Sequence, residues 1–111
     1  MTAYKFIVLT NPVSGRDDDY NDWYTNQHLG DVLRIPGIVA AQRFKTTPVQ
    51  RAKQPLPYEY VAIYEIETDD LAVVVGELAR RTGTDAMPIS DALAEERMSY
   101  IVEAITERGS A

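Results

Sequence analysis

The only histidine of the chain, His28, lies one helical turn after Tyr24 and three residues before Asp31. An imidazole titrates near neutral pH, so it can accept or donate a proton under physiological conditions. A nearby carboxylate can orient such a ring or stabilise its charged form, and a tyrosine hydroxyl can hydrogen-bond a substrate oxygen or a developing enolate. These three residues therefore indicate proton-transfer chemistry, with His28 as general acid or base, Asp31 as its orienting group and Tyr24 as a hydrogen-bond donor.

The residues around His28 add a second group of candidates. The segment YNDWYTNQHLGD contains Tyr20, Asn21 and the only tryptophan, Trp23. The amide of Asn21 can also hydrogen-bond a substrate oxygen. The rings of Tyr20 and Trp23 can shape an apolar pocket. We expect these three residues to bind a substrate beside His28.

A helix must position these side chains. The acidic run Asp17, Asp18 and Asp19 is typical of a helix start, and Pro36-Gly37 requires the helix to end at about Ile35. At about 100° per residue, the apolar side chains share one arc and His28 falls in its middle. Asp31 and Asn21 fall within the same arc, and Trp23 falls just outside it. The predicted helix thus directs a histidine, a carboxylate and an amide towards the core.

Three interpretations of His28 remain open. It is a core histidine satisfied by Tyr24, Asp31 or a strand carbonyl; it faces a pocket and moves protons; or it binds a metal. With one histidine and no cysteine, only carboxylates could complete a metal site. Helix capping explains the acidic run without a metal. We therefore predict no metal and no cofactor.

Two further candidates come from predicted strands. Arg43 could bind an anionic substrate oxygen, or it could be a rim arginine with a solvated head. Tyr58, Tyr60 and Tyr64 are spaced so that they share one strand face. Such a stripe packs a core or a dimer interface, or it forms an aromatic wall for a ring-shaped ligand, with Tyr60 as the predicted contact.

The order of elements predicts the fold class. The predicted strands are Tyr4–Thr10, Ile38–Lys45, Tyr58–Glu67 and Met98–Thr106. The predicted helices are 17–35 and 71–81, with a short helical turn at 89–96. The order β-α-β-β-α-β predicts an α+β, ferredoxin-like plait as one domain, 1–111, with both helices on one face of an antiparallel four-stranded sheet. The other face is apolar, so we expect a homodimer that packs sheet against sheet.

Composition limits the partners. The net charge is -6, and no dense run of Lys or Arg is present, which argues against nucleic-acid binding. No stretch approaches the ~20 apolar residues of a membrane span. The N-terminal residues do not follow the pattern of a secretory signal, and cysteine is absent, so we expect a cytoplasmic protein.

The first 45 residues also resemble a known family. The string TNPVSGRDDDYNDWYTNQHLGDVLRIPGIVAAQRF is similar to the opening half of EthD-like proteins of the dimeric α/β-barrel superfamily. The pattern comprises a Gly-containing loop, a helix with W-Y-x-x-x-H, then P-G and a strand ending near an arginine. Trp23, Tyr24, His28, Pro36, Gly37 and Arg43 match it. The resemblance implies a ferredoxin-like protomer that dimerises through its sheet, with a cavity into which His28 projects. Its relatives include muconolactone isomerases, polyketide cyclases and cofactor-free monooxygenases.

These observations lead to three functional hypotheses. The first is a cofactor-independent enzyme of the isomerase, cyclase, dehydratase or lyase type. It would move a proton next to a carbonyl of a small apolar oxygenated or aromatic substrate, with His28 as general acid or base. The second is a cofactor-free or haem-linked monooxygenase, where a haem would need His28 as axial ligand. The third is a non-enzymatic dimer that binds a small ligand.

Overall fold

The sheet has four antiparallel strands in the order β2-β3-β1-β4. A computed structural model describes residues 1–111. Its strands are β1 (Thr2–Thr10), β2 (Ile38–Lys45), β3 (Tyr60–Thr68) and β4 (Met98–Glu103). Two βαβ units joined through β2 and β3 produce this order, which confirms the predicted ferredoxin-like, α+β architecture. None of the helices is both long and apolar enough to cross a membrane.

The first helix is continuous but not uniform. It comprises α1 (Asp17–Trp23), a π-helical turn (Tyr24–His28) and α2 (Leu29–Leu33), and the residues at both junctions keep right-handed helical angles. We call these three segments the long helix. It ends two residues before the predicted Ile35. The π-helical turn was not predicted; such turns are rare and frequently occur at functional sites.

The start of the long helix also differs from expectation. The residue before it is Arg16, and no side chain caps the free backbone N–H groups there. The guanidinium of Arg16 instead donates to Asp19 at 3.0 Å and to Asp91 at 2.9 Å. The acidic first turn therefore stabilises the helix through its charge rather than through a capping hydrogen bond.

The short helical turn predicted at 89–96 is wrong. This segment pairs with the loop after β1: Val13 N donates to Ala92 O at 2.7 Å, and Ala94 N donates to Asn11 O at 2.9 Å. Backbone groups that bond another segment cannot close a helical turn. Likewise Glu59 N bonds the Asn11 side chain, so β3 begins at Tyr60 rather than Tyr58. The last strand ends at Glu103, three residues before the predicted Thr106.

The core lies between one sheet face and the helices. Alternate residues of β3 are buried on that face, and side chains of the long helix pack on them. Helix α3 (Leu71–Arg81) contributes Val74. Gly37, between the long helix and β2, has φ +99°, and a Cβ there would lie 2.9 Å from Val74 Cγ2. Only glycine therefore lets the chain turn so close to α3.

The opposite sheet face is open. Strand pairing places Phe44 of β2 and Tyr100 and Val102 of β4 on this face, away from the helices. Their side chains are 42%, 51% and 44% exposed. An exposed apolar sheet face of this kind is typical of an interaction surface. The predicted sheet-to-sheet homodimer is compatible with it and stays a prediction.

Candidate functional site

A cavity of about 600 Å³ lies between the covered sheet face, the long helix, α3 and the loop that leads into β4. Most of the wall is hydrophobic. The sheet contributes Phe6, Val8, Tyr64 and Ile101, the long helix contributes Trp23, Tyr24, His28 and Val32, and the loop contributes Met87, Leu93 and Arg97. This volume lies in the range of small-molecule sites, so the cavity can hold a ligand of two or three fused rings.

The π-helical turn brings His28 and Trp23 together. Their rings stack with centroids 4.7 Å apart and planes inclined by 29°. Residues five apart in an α-helix point about 140° away from each other. The i→i+5 bonds of a π turn instead place such residues above one another. This local geometry explains why Trp23, predicted to lie outside the core-facing arc, shares the cavity wall with His28 and Tyr24.

His28 has an incomplete set of hydrogen bonds. Its Nδ1 atom is buried and has no partner in the structure. The ring of Tyr24 meets it edge-on, with centroids 5.0 Å apart, so this tyrosine offers the imidazole its ring rather than its hydroxyl. An unsatisfied buried polar atom costs roughly 1–3 kcal/mol.

The charge state of His28 follows from its surroundings. Burial lowers the pKa of His28 to about 4; the charge of Asp31 raises this pKa and the charge of Arg97 lowers it further. The ring is therefore neutral at pH 7. A neutral imidazole has one nitrogen that donates and one that accepts a hydrogen bond, so it can both receive a proton and position a donor.

The expected contact between Asp31 and His28 is not formed. Its carboxylate is only 3% exposed and accepts hydrogen bonds from Gln27 Nε2, at 2.9 and 3.1 Å, and from Arg34, at 2.7 Å. Gln27 lies four residues before Asp31 and Arg34 three residues after it, so both are its neighbours on the helix surface. The expected orienting hydrogen bond to the imidazole is therefore absent. Asp31 acts on His28 only through its charge.

Two tyrosine hydroxyls meet within the cavity wall. The Tyr24 and Tyr64 oxygens lie 3.5 Å apart. Burial raises the pKa of Tyr24 to about 12 and also raises the pKa of Tyr64, so both hydroxyls stay protonated and can donate hydrogen bonds. Tyr64 belongs to the tyrosine stripe on β3, for which the sequence allowed either core packing or an aromatic wall for a ligand. It lines the cavity. The period-two spacing of the stripe was the available signal.

Four predicted substrate contacts do not line the cavity. Asn21, Arg43 and Tyr60 form a separate cluster, in which Arg43 donates to Asn21 Oδ1 at 2.9 Å and Asn21 donates to the Tyr60 hydroxyl at 3.2 Å. The Arg43 guanidinium also lies 4.6 Å from the centroid of the Tyr24 ring. Tyr20 is fully buried, and its hydroxyl bonds Thr10. Because these groups bond each other, they are not directed at the cavity.

Arg97 is a site residue that the sequence analysis missed. It lines the cavity from the loop before β4. That loop has no periodic pattern, so nothing in the sequence indicated which of its side chains turn inwards. No three His, Cys, Asp or Glu side chains come together as a metal site.

Solved structures share this architecture. No protein-family model and no curated protein matches the sequence. An EthD family protein from Bacillus halodurans is 19% identical, with a TM-score of 0.56 over 95% of this chain and 100% of its own. SnoaB from Streptomyces nogalater, a cofactor-independent oxygenase, is 14% identical, with a TM-score of 0.56 over 96% of both chains. A MhuD mutant with manganese protoporphyrin IX bound in its active site is 14% identical, with a TM-score of 0.61 over 96% of this chain and 99% of its own. The resemblance to EthD-like proteins is thus confirmed at the level of the fold.

Proposed function

We propose that the protein is a cofactor-independent oxygenase that acts on a small aromatic substrate with an acidic, enolisable position. The observation that carries this proposal is a neutral His28 that lines a largely apolar cavity and whose imidazole makes no hydrogen bond to the protein. The nature of SnoaB, a fold neighbour, favours oxygenation over the isomerase-type or lyase-type chemistry expected first. Both chemistries begin with the same proton abstraction.

The first step is transfer of a substrate proton to His28. A base with a pKa of about 4 is weak, so the step depends on stabilising the substrate anion that forms. The Tyr24 hydroxyl accepts from Tyr64 at 3.5 Å and can donate its own proton to the developing oxyanion, and the largely apolar cavity wall strengthens this hydrogen bond. The anion in turn raises the pKa of the imidazole beside it, because opposite charges favour each other.

The second step is reaction of the carbanion with dioxygen. At an activated methylene, one oxygen atom becomes a carbonyl oxygen, and the other leaves as water with the two hydrogens of the methylene. Two electron pairs pass from the substrate to O2, so no external reductant is needed. In an isomerisation, by contrast, the proton returns to another carbon and no O2 is consumed.

Oxygen uptake distinguishes these reactions. We would incubate the protein with 1,8-dihydroxyanthrone and follow O2 consumption and formation of the anthraquinone, after subtracting the spontaneous rate. We expect one O2 per substrate, and a rate about 100-fold lower in His28→Gln. Arg51→Gln, in the loop after β2, is the matched control and should retain the wild-type rate.

Each other result has a defined meaning. A wild-type rate in His28→Gln would show that His28 is not the base. Consumption of the probe without O2 uptake would support the first hypothesis, an isomerase-type or lyase-type enzyme that only transfers a proton. Binding of the probe without turnover would support the third hypothesis, a non-enzymatic ligand-binding protein.

The haem-linked alternative depends on His28 as well. The chain has no other histidine and no cysteine, so His28 is the only nitrogen ligand that this cavity offers a haem, beside the phenol oxygens of Tyr24 and Tyr64. The ring stacks on Trp23 and its Nδ1 is buried, so an axial ligand from this ring would be the other nitrogen, Nε2. A Soret band that appears on adding haem, and disappears in His28→Gln, would favour this alternative over the oxygenase.

We also propose that the protein acts as a homodimer formed through the open sheet face. Phe44, Tyr100 and Val102 supply its exposed apolar surface. Tyr100 also lines the cavity, so a second copy on this face would contact the cavity rim. Dimer formation would then reduce the access of water to the site.

A further inference from the structure

We infer that the cavity selects ligands with one anionic group at the end of an apolar body, and that Arg97 binds this group. The inference rests on the proposed function, because it assumes that the cavity is the ligand site. It adds the charge class of the ligand, a carboxylate or an ionised enol, and the residue that recognises it.

Arg97 is the only charged side chain in the cavity wall. The rest of the lining is apolar apart from hydroxyl groups and the neutral imidazole of His28. No Asp or Glu faces the same space. A cavity with a single cation and no anion is complementary to a ligand that brings one negative charge.

Arg97 also lacks a partner within the chain. The arginines at positions 16, 34, 43, 80 and 81 each bond a side chain of the protein, whereas Arg97 does not, and it shares this only with Arg51 and Arg108, which lie outside the cavity. No ion pair or side-chain hydrogen bond includes Arg97, although the protein has a net charge of -6 and Glu95 and Glu96 precede it. Its guanidinium N–H groups are therefore free to form a bidentate hydrogen bond with a carboxylate.

The positive charge of Arg97 acts on His28 and Tyr24, the residues proposed to react with the substrate. It lowers the pKa of His28 and opposes the rise in the pKa of Tyr24. A ligand anion at Arg97 would offset this positive charge near the imidazole. The same contact that selects the ligand would therefore make His28 a stronger base when the site is filled.

A matched pair of ligands tests the inference. 2-Naphthoate and 2-naphthamide have the same ring body and nearly the same shape, but only the first is ionised at pH 7. We would measure both affinities by calorimetry at low salt. We expect wild-type protein to prefer 2-naphthoate by about tenfold, the effect of one partly solvated charge-assisted contact.

Variants of Arg97 assign the preference to this residue. Arg97→Gln should bind both ligands equally, Arg97→Lys should retain part of the preference, and Arg97→Glu should reverse it. Arg51→Gln removes a positive charge outside the cavity and should keep the wild-type ratio. Because Arg97 is exposed and bonds no other residue, these variants should fold, and their melting temperatures check this.

A further variant separates failure of the inference from failure of the proposed site. Ala79→Phe adds a ring at the cavity wall and should weaken both ligands equally. If wild type binds both ligands alike, or if Arg97→Gln keeps the preference, the inference is overturned while the cavity stands. If neither ligand binds, or if both bind Ala79→Phe as tightly as wild type, the proposed ligand site fails as well.

Discussion

The imidazole of His28 is held by aromatic rings rather than by hydrogen bonds. Trp23 stacks on one face and Tyr24 meets it edge-on, while Nδ1 has no partner. Aromatic packing fixes the ring without satisfying its polar atoms. This arrangement keeps the histidine neutral and leaves its hydrogen-bonding capacity for a ligand.

The pH dependence of stability reports this environment. The folded state lowers the pKa of His28 from 6.5 to about 4, so the unfolded chain binds the proton first as pH falls. Stability is therefore lost between pH 6.5 and 4, by up to about 3 kcal/mol from this residue, and no further loss arises below pH 4. His28→Gln should remove this contribution. Urea unfolding of both proteins at a series of pH values measures the difference, and parallel pH curves would contradict the prediction.

Arg43, a predicted substrate contact, connects β2 to the long helix. Its guanidinium bonds Asn21 Oδ1 in α1 and Thr25 Oγ1 in the π-helical turn, at 2.9 and 2.8 Å, and lies over the ring of Tyr24. It thus ties β2 to both helical segments. A lysine has one charge centre and cannot form both bonds with the same geometry.

Substitution of Arg43 distinguishes support from substrate binding. We expect Arg43→Lys to lose roughly 1–2 kcal/mol of stability, through two charge-assisted hydrogen bonds in a half-buried setting, and to shift the emission of Trp23 as the π-helical turn loosens. Lys53→Ala, in the loop between β2 and β3, is the control. If Arg43→Lys keeps wild-type stability but raises KM in the oxygenase assay, the original prediction of a substrate contact would be supported.

At the level of the elements, the junction between the long helix and β2 depends on one glycine. Gly37 O accepts from Glu67 N at 2.8 Å, which ties this turn to β3, and Val74 of α3 lies where a Cβ would be. The Pro36-Gly37 pair predicted the helix end to within two residues. The close approach of α3 could not be predicted, because it is a contact between distant segments.

Alanine at two glycines tests this junction. Gly37→Ala combines positive φ with a clash at Val74 and should cost roughly 1–3 kcal/mol. Gly30→Ala, in α2, has no atom within 4 Å of its Cβ and should stabilise the protein by up to about 1 kcal/mol. Thermal unfolding of both variants gives the comparison. Equal melting temperatures would show that the Gly37 turn relaxes freely.

The order of strands and helices along the chain could be predicted from apolar runs and from the Pro, Gly and Asp residues that mark their ends, because these signals are local. The π-helical turn could not, because one wider turn leaves the apolar arc almost unchanged. It nevertheless brings Trp23 beside His28. The segment 89–96 was mispredicted for a related reason: its backbone pairs with the loop after β1, which local propensity cannot reveal.

For the molecule as a whole, the mass in solution tests the proposed homodimer through the open sheet face. We expect a mass of twice the 12.5 kDa of the chain in light scattering at micromolar concentration. Phe44→Glu should produce a monomer, because it places a charge within the apolar interface. Val73→Glu, at an exposed site on α3, is the matched control and should stay dimeric. A wild-type monomer would contradict the predicted interface.

The π-helical turn has a consequence for the length of the chain. Its i→i+5 bonds enclose one residue more than an α-helical turn does, so the long helix contains a surplus residue between Tyr24 and His28. Removing it, for example Asn26, would restore i→i+4 bonding and leave Trp23 and His28 four residues apart. Residues four apart in an α-helix are neighbours on its surface, so the two rings would stay on the same face. We therefore expect a related sequence that is one residue shorter in this helix to keep the stacked pair without a π-helical turn.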